Sequence, residues 1–128
     1  MILQDKAVVI TGSGKGIGAA CARGVARQGA AVVVNDVDDS VYETVAAIEA
    51  EGGRAVACIA DVSDWEEAGR LIDTCITRFG KIDGLANNAA LYHQKRIDEF
   101  DPIGSRAMVD VNVMGPLNCT SHAAKPMI

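Results

Sequence analysis

The sequence lacks any long apolar run. Over its 128 residues, no stretch approaches the roughly 18 consecutive apolar residues of a membrane-spanning helix. The first residues also lack the basic segment and following apolar stretch of a secretory signal. An excess of basic residues is absent too, since 12 Lys and Arg stand against 17 Asp and Glu, for a net charge of −5. This acidic balance argues against broad binding to nucleic acid or anionic lipid. We therefore expect a cytoplasmic protein without a membrane partner.

The cysteines and histidines show no clustering. The four cysteines are Cys21, Cys58, Cys75 and Cys119. None forms a C-x-x-C pair, and His93 and His122 stand apart from them in sequence. Disulfide frameworks and metal sites both need such clustering. We therefore predict reduced, mostly buried thiols and no metal site.

What the sequence does contain is a regular alternation of strands and helices. Short apolar runs predict strands at residues 7–10, 31–34, 55–59 and 84–87. The segments between them have helical apolar spacing, most clearly from Ala68 to Phe79, with Gly80 as the cap. A loop is expected over residues 91–102, followed by a last helix from near Ile103. Together these patterns predict one α/β domain, residues 1–128, with a doubly wound parallel sheet of about four strands and flanking helices.

A glycine-rich turn directly follows the first predicted strand and opens a helix. Glycine permits positive φ angles and lets the backbone approach a ligand closely. The start of a helix favours a bound anion by about 0.3–1 kcal/mol. The turn therefore predicts a phosphate cradle. Its candidate residues are Gly12, Ser13, Gly14, Lys15, Gly16, Ile17 and Gly18.

Polar residues follow the other predicted strands at the same relative position. Asp36, Asp61 and Asn87 each come where a strand ends. Ligands of open parallel sheets bind at the carboxyl ends of the strands. We expect these polar groups and the glycine-rich turn to form one site.

The spacing Thr-Gly-x-x-x-Gly-x-Gly, at Thr11, Gly12, Gly16 and Gly18, resembles that of classical short-chain dehydrogenases/reductases. The resemblance covers the whole chain but only about the first half of a family member. It implies a Rossmann-type fold, an NAD(P) dinucleotide, hydride transfer between an alcohol and a ketone, and assembly into homo-oligomers.

Further segments carry the same resemblance. Asp61-Val62 matches the family's pair that holds adenine through a carboxylate and a backbone amide. Asn88, Ala89 and Ala90 belong to a segment similar to the family's Asn-Asn-Ala-Gly element, with Ala90 in place of the final glycine. That element is expected to brace the central strands and to pass the backbone close to a cofactor ribose.

Asp36, followed by Val37, lies where an acidic side chain would accept hydrogen bonds from the adenosine ribose. A 2′-phosphate there would face a carboxylate, and like unit charges 4 Å apart repel by roughly 4 kcal/mol at an effective dielectric of 20. Lys15 opposes this, because a basic residue at its position often accompanies NADP use in the family. Asp36 would compete directly for the ribose hydroxyl, so the sequence favours NAD over NADP.

Asn112 aligns with the helix asparagine of the family's catalytic tetrad and is the candidate catalytic residue. Pro116 follows four residues later and has no N–H to offer the carbonyl of residue 112. We predict a bend there, with a freed carbonyl able to hold a water molecule. A helix merely bent by Gly115-Pro116 is the alternative.

The family's catalytic serine and Tyr-x-x-x-Lys pair are expected beyond Ile128, and Tyr92 and Tyr42 lack the lysine four residues later. Three interpretations stay open. The chain is the cofactor-binding half of an NAD-dependent oxidoreductase, a nucleotide-binding module without catalysis of its own, or a subunit completed by another chain. The 128-residue chain alone is expected to be inactive.

Overall fold

The computed structural model describes residues 1–128. The four strands are β1 (Ala7–Ile10), β2 (Ala31–Asp36), β3 (Arg54–Ile59) and β4 (Gly84–Ala86). The five α-helices are α1 (Gly16–Arg27), α2 (Ser40–Ala50), α3 (Trp65–Phe79), α4 (Pro102–Val109) and α5 (Gly115–Met127). A 3-10 turn covers Ile97–Glu99, and a π-helical turn, Asp110–Met114, separates α4 from α5.

All strand pairs in the sheet are parallel, and the strand order is β3-β2-β1-β4. In register, Val9 lies between Val33 of β2 and Leu85 of β4. Strand β4 pairs with β1 alone and forms one edge of the sheet. The order reverses between β1 and β4, because the chain moves outward from β1 through β3 before returning to the other side. This confirms the predicted doubly wound sheet.

The core has two layers, one on each face of the sheet. Val32 and Val34 of β2 pack in one cluster with the apolar sides of α1 and α2. Val33 points the other way and joins a larger cluster that contains residues of α3 and α5. Since neighbouring residues of a strand face opposite sides, a continuous apolar run is needed where both faces are covered. The valines of β2 are fully buried for this reason.

Helix α3 has the buried apolar face that its sequence spacing predicts. Leu71, Ile72 and Cys75 are fully buried on its inner side. Asp64 caps the start, because its Oδ1 accepts a hydrogen bond from the Glu67 amide at 2.9 Å. Gly80 ends the helix with a φ of 82°.

Helices α3 and α5 pack closely at one glycine. A Cβ atom on Gly69 would lie only 2.8 Å from Cε1 of His122. The His122 ring is stacked near Trp65, with ring centroids 3.9 Å apart, and its Nε2 lies 2.9 Å from the Trp65 carbonyl. The absence of a side chain at Gly69 lets the imidazole lie against the α3 backbone.

At the start of α2, Asp39 makes no side-chain capping bond, and Asp38 accepts a bond from the Ser40 amide at 3.0 Å. One local prediction needs correction. The last helix is not continuous, because the π-helical turn interrupts it. There the amide of Gly115 donates to the carbonyl of Asp110, five residues back. The π-helical turn includes Asn112, where a bend is predicted; the bend itself and the freed carbonyl stay predictions.

All four cysteines are free; Cys21 is exposed and the other three are buried. No group of three or more His, Cys, Asp or Glu side chains is arranged to hold a metal ion. None of the helices combines the length and the apolar character that crossing a membrane requires.

Candidate nucleotide-binding site

The turn between β1 and α1 depends on two glycines with positive φ. Gly12 has a φ of 63°, and a Cβ there would lie 2.8 Å from the Ala89 Cα, so the backbone after β4 passes directly against it. Gly16 has a φ of 57°, and a Cβ there would meet no atom within 4 Å. Gly16 therefore borders open space at the start of α1, where no side chain caps the helix. An uncapped helix start leaves backbone N–H groups for an anion.

Ser13 and Gly14 are turned towards the protein. The Ser13 hydroxyl is fully buried; it donates to the Ile10 carbonyl at 2.7 Å and accepts from the Asn35 amide at 3.0 Å. A Cβ on Gly14 would collide with the Ser40 hydroxyl. These two residues hold the turn in shape, and neither lines the pocket described below.

Asn35 was missed as a site residue by sequence reasoning. Its side chain is 1% exposed. The Asn35 Oδ1 accepts a hydrogen bond from the Gly12 amide at 3.3 Å, and its Nδ2 donates to the carbonyls of Cys58 and Ala60, each at 3.1 Å. One buried amide thus joins the glycine-rich turn to β2 and to the end of β3. The available signal was a polar residue within an apolar strand, because such a group is buried only with partners.

A second connection joins the turn to the segment after β4. The Thr11 Oγ1 accepts hydrogen bonds from the amides of Asn88 and Ala89, both at 2.9 Å. The Asn88 side chain donates to the carbonyls of Thr11 and Gly12, both at 3.1 Å. A Cβ on Gly18 would lie 2.6 Å from this Asn88 amide nitrogen, so the glycine makes room for the connection. Asn88 therefore connects the end of β1 to the segment that follows β4.

Asp36 lies at the end of β2 with both carboxylate oxygens held by backbone amides. Its Oδ2 accepts from the Gly14 amide at 3.1 Å, and its Oδ1 accepts from the Val37 amide at 2.9 Å. Lys15 does not pair with it; the ammonium lies 2.9 Å from Asp38 Oδ2. The hydrogen bond to Asp38, together with its charge, raises the pKa of Lys15.

Asp61 follows β3 and is held by the entry to α3. Its Oδ1 accepts from the amide of Ser63 at 2.9 Å and from its hydroxyl at 2.7 Å. The Asp61 amide in turn donates to Glu67 at 3.1 Å. These bonds use one carboxylate oxygen and leave Oδ2 without a protein partner. The helix-entry role and a ligand-binding role are therefore compatible.

A pocket of about 570 Å³ lies at the carboxyl ends of the strands. The structure brings ten of the predicted residues to its wall: Gly12, Lys15, Gly16, Asp36, Val37, Asp61, Val62, Asn88, Ala89 and Ala90. Four further residues line it: Asn35, Ala60, Leu91 and Val111. The predicted residues that do not line it are Ser13, Gly14, Ile17, Gly18, Asn87 and Asn112. The Asn87 side chain instead donates to the Thr120 hydroxyl at 3.1 Å.

Asn112 lies on the π-helical turn and contacts the pocket only through the backbone of Leu91. Its Nδ2 donates to the Leu91 carbonyl, and its Oδ1 accepts from the Leu91 amide, each at 2.8 Å. This two-point contact resembles the pairing between two strands. It fixes the segment after β4, which forms one wall of the pocket. The side chain of Asn112 is thus occupied by the backbone.

The parallel sheet, the glycine-rich turn between β1 and α1, and the pocket at the strand ends define a Rossmann-like α/β protein. The family model for short chain dehydrogenases matches residues 6–128. The chain therefore belongs to the short-chain dehydrogenase/reductase family.

Individual relatives agree with this assignment. An uncharacterized oxidoreductase from Methylorubrum extorquens is 43% identical over 128 residues, which is 96% of this chain and 50% of that protein. A crystal structure of a short chain dehydrogenase from Mycobacterium avium superposes with a TM-score of 0.96 at 34% identity, covering 98% of this chain and 49% of that one. A Burkholderia cenocepacia short chain dehydrogenase in complex with NADP gives a TM-score of 0.94 at 32% identity, covering 99% and 53%. The chain thus spans about half the length of these relatives.

Proposed function

We propose that the pocket binds a nicotinamide dinucleotide, with NAD preferred over NADP, and that the chain is the cofactor-binding half of an oxidoreductase. The observation that carries the preference is the fixed carboxylate of Asp36 at the pocket wall. Two backbone amides hold it in place, so it cannot turn away from a ligand without losing both bonds. A ribose diol can donate to a carboxylate, whereas a 2′-phosphate placed there is repelled.

The shape of the turn fits the pyrophosphate of such a ligand. A phosphate can come close to the backbone at Gly16 because no atom lies within 4 Å of the position of a Cβ. The uncapped start of α1 offers N–H donors and the positive end of the helix dipole. Gly12, Gly18 and Ile17 shape the turn and the first helical residues.

The remaining candidate residues divide the pocket between the two ends of the dinucleotide. The free Oδ2 of Asp61 and the backbone at Val62 are assigned to the adenine. Ala89 and Ala90, held in place by Asn88, are assigned to the nicotinamide ribose. This assignment is what the family resemblance implies, and the strand order is compatible with it, because β3 lies at one side of the glycine-rich turn and β4 at the other.

When bound, the nicotinamide would accept a hydride from an alcohol that is oxidised to a ketone, or supply one to a ketone that is reduced to an alcohol. Asn112 positions the wall segment through Leu91, and we assign it to the catalytic machinery on the strength of the resemblance. The tyrosine and lysine of that machinery are expected outside residues 1–128, so the substrate is proposed only as a small alcohol or ketone.

A specific observation favours completion of the sheet by further polypeptide. Strand β4 has one open edge, and such an edge is a template for another strand. Large apolar side chains on α4 and the π-helical turn are also exposed, among them Ile103 at 84% and Val113 at 52%. These surfaces support a proposal that further polypeptide covers β4 and α4, whether it is the other half of the same protein, a second copy or a separate chain carrying the catalytic pair.

Equilibrium titration with NADH and NADPH, followed by the fluorescence of the reduced nicotinamide, tests the cofactor proposal. We expect saturable binding with a lower dissociation constant for NADH. Absence of binding to both dinucleotides would show that the pocket has another role. Tighter binding of NADPH would refute the preference assigned to Asp36. Oxidation of an alcohol by the 128-residue chain alone would contradict the expectation that the catalytic groups lie elsewhere.

A further inference from the structure

A single cation lines the pocket, and it is held by a carboxylate that lies outside it. Lys15 borders the pocket together with Asp36, while Asp38 lines only the neighbouring surface opening. The Lys15 ammonium is 2.9 Å from Asp38 Oδ2. Asp38 is itself oriented by the Ser40 amide, which donates to its Oδ1 at 3.0 Å. The ion pair therefore engages the ammonium of Lys15 with a carboxylate that lies outside the pocket.

From this arrangement we propose that Asp38 is a specificity-determining residue that keeps Lys15 from binding a 2′-phosphate. The proposal rests on the proposed function, since it concerns which dinucleotide the same pocket prefers. Asp36 repels the phosphate directly. Asp38 forms an ion pair with Lys15, the one cation at the pocket wall that could compensate for this repulsion. Two carboxylates thus act on the same discrimination in different ways.

The geometry distinguishes Asp38 from its neighbour Asp39. Both are acidic and lie at the surface opening beside Lys15. Only Asp38 forms the ion pair, and Asp39 makes no capping bond to α2. Replacing either carboxylate with an amide changes the net charge equally. A difference between the two variants therefore reports the release of Lys15 and not the loss of general repulsion.

The experiment compares Asp38→Asn with the control Asp39→Asn in the 128-residue chain. The asparagine retains an oxygen for the Ser40 amide, so the local backbone is preserved. We expect the NADPH affinity, relative to NADH, to rise roughly three- to tenfold more in Asp38→Asn than in the control. The same contrast is expected between 2′,5′-ADP and 5′-AMP, which carry only the adenosine end. Added salt should reduce the gain, because the charges are exposed.

Lys15→Met completes the test as a double-mutant cycle. In the parent chain it should weaken NADPH binding less than it does in the Asp38→Asn chain, because the paired lysine is less available to a phosphate. In the Asp38→Asn chain it should abolish the gain.

Three outcomes would overturn the inference. In one, Asp38→Asn behaves as Asp39→Asn does; in another, the gain survives Lys15→Met. Both would leave the proposed function intact if the parent chain still binds NADH. If the parent chain binds neither dinucleotide, the proposed function itself fails, and the inference fails with it.

Discussion

Replacing Gly16 with alanine separates the strain of the glycine-rich turn from its role in binding. Gly16 has a φ of 57°, and the new methyl group would meet no protein atom within 4 Å. The cost to stability therefore comes from the backbone alone, because an L-residue in the left-handed region costs roughly 1–2 kcal/mol. Gly80 offers a matched control, since its φ is 82° and a Cβ there also meets nothing within 4 Å. Gly80 lies at the end of α3, outside the pocket.

Gly16→Ala and Gly80→Ala should lose similar stability, about 1–2 kcal/mol each. Only Gly16→Ala should lose binding, because its methyl group enters the space that we assign to the pyrophosphate. We expect at least a tenfold weaker affinity for NADH, equivalent to about 1.4 kcal/mol. Urea denaturation measures the loss of stability, and fluorescence titration without urea measures the affinity for NADH.

Two results would refute this reasoning. If Gly16→Ala binds NADH as tightly as the parent, the open space beside Gly16 is not the phosphate site. If Gly80→Ala loses affinity to the same degree, the effect is a general loss of folded protein and says nothing of the pocket.

Three further perturbations test the packing. Burial raises the pKa of Cys75 and of Cys119 to about 11. A thiol reagent should therefore modify the exposed Cys21 before these two cysteines. Equal rates of modification at all sites would contradict the fold. Because these two pKa values are higher in the folded chain, it binds the protons more tightly, and stability should fall as the pH rises from about 9 towards 11. Gly69→Ala should lose about 1–3 kcal/mol in urea denaturation, because its methyl group would press on the imidazole from α5. The control Gly24→Ala lies in α1 with open space around it, and it should raise the free energy of unfolding by about 0.5–1 kcal/mol. If both substitutions changed the free energy of unfolding in the same direction, the close packing of α3 and α5 would be contradicted.

The elements themselves were accessible from the sequence because their signals are local. The apolar runs predicted all four strands, with ends that differ by two residues at most. The stripe of α3 and its glycine cap were read from spacing alone. Strand β2 extends to Asp36, further than its apolar run, because Asn35 and Asp36 continue the pairing with β3. The pairing partner decided that boundary, and a single strand cannot reveal it.

The positions of the site residues were largely predictable, whereas their contacts were not. Parallel strands place their carboxyl ends at one edge, so Asp36 and Asp61 line one pocket as expected. Asn87, expected with them, does not line it, and its side chain donates to the Thr120 hydroxyl of α5. Whether a side chain faces a ligand or the protein depends on neighbours from other segments. Ser13 belongs to the turn, yet its hydroxyl bonds to Ile10 and to the Asn35 amide. Asn112 was predicted from its motif, but its contact with the Leu91 backbone joins parts of the chain 21 residues apart.

By itself, the sequence determined the alternation of strands and helices, the glycine-rich turn after β1, and the acidic residue at the end of β2. These depend on backbone preferences and apolar spacing within a few residues. Only the tertiary structure decided that Asn35 supports the turn, that Gly12 lies against Ala89, and that Lys15 pairs with Asp38 instead of Asp36. Hydrogen bonds and ion pairs act over a few ångströms, so their partners are set only when the sheet brings distant segments together.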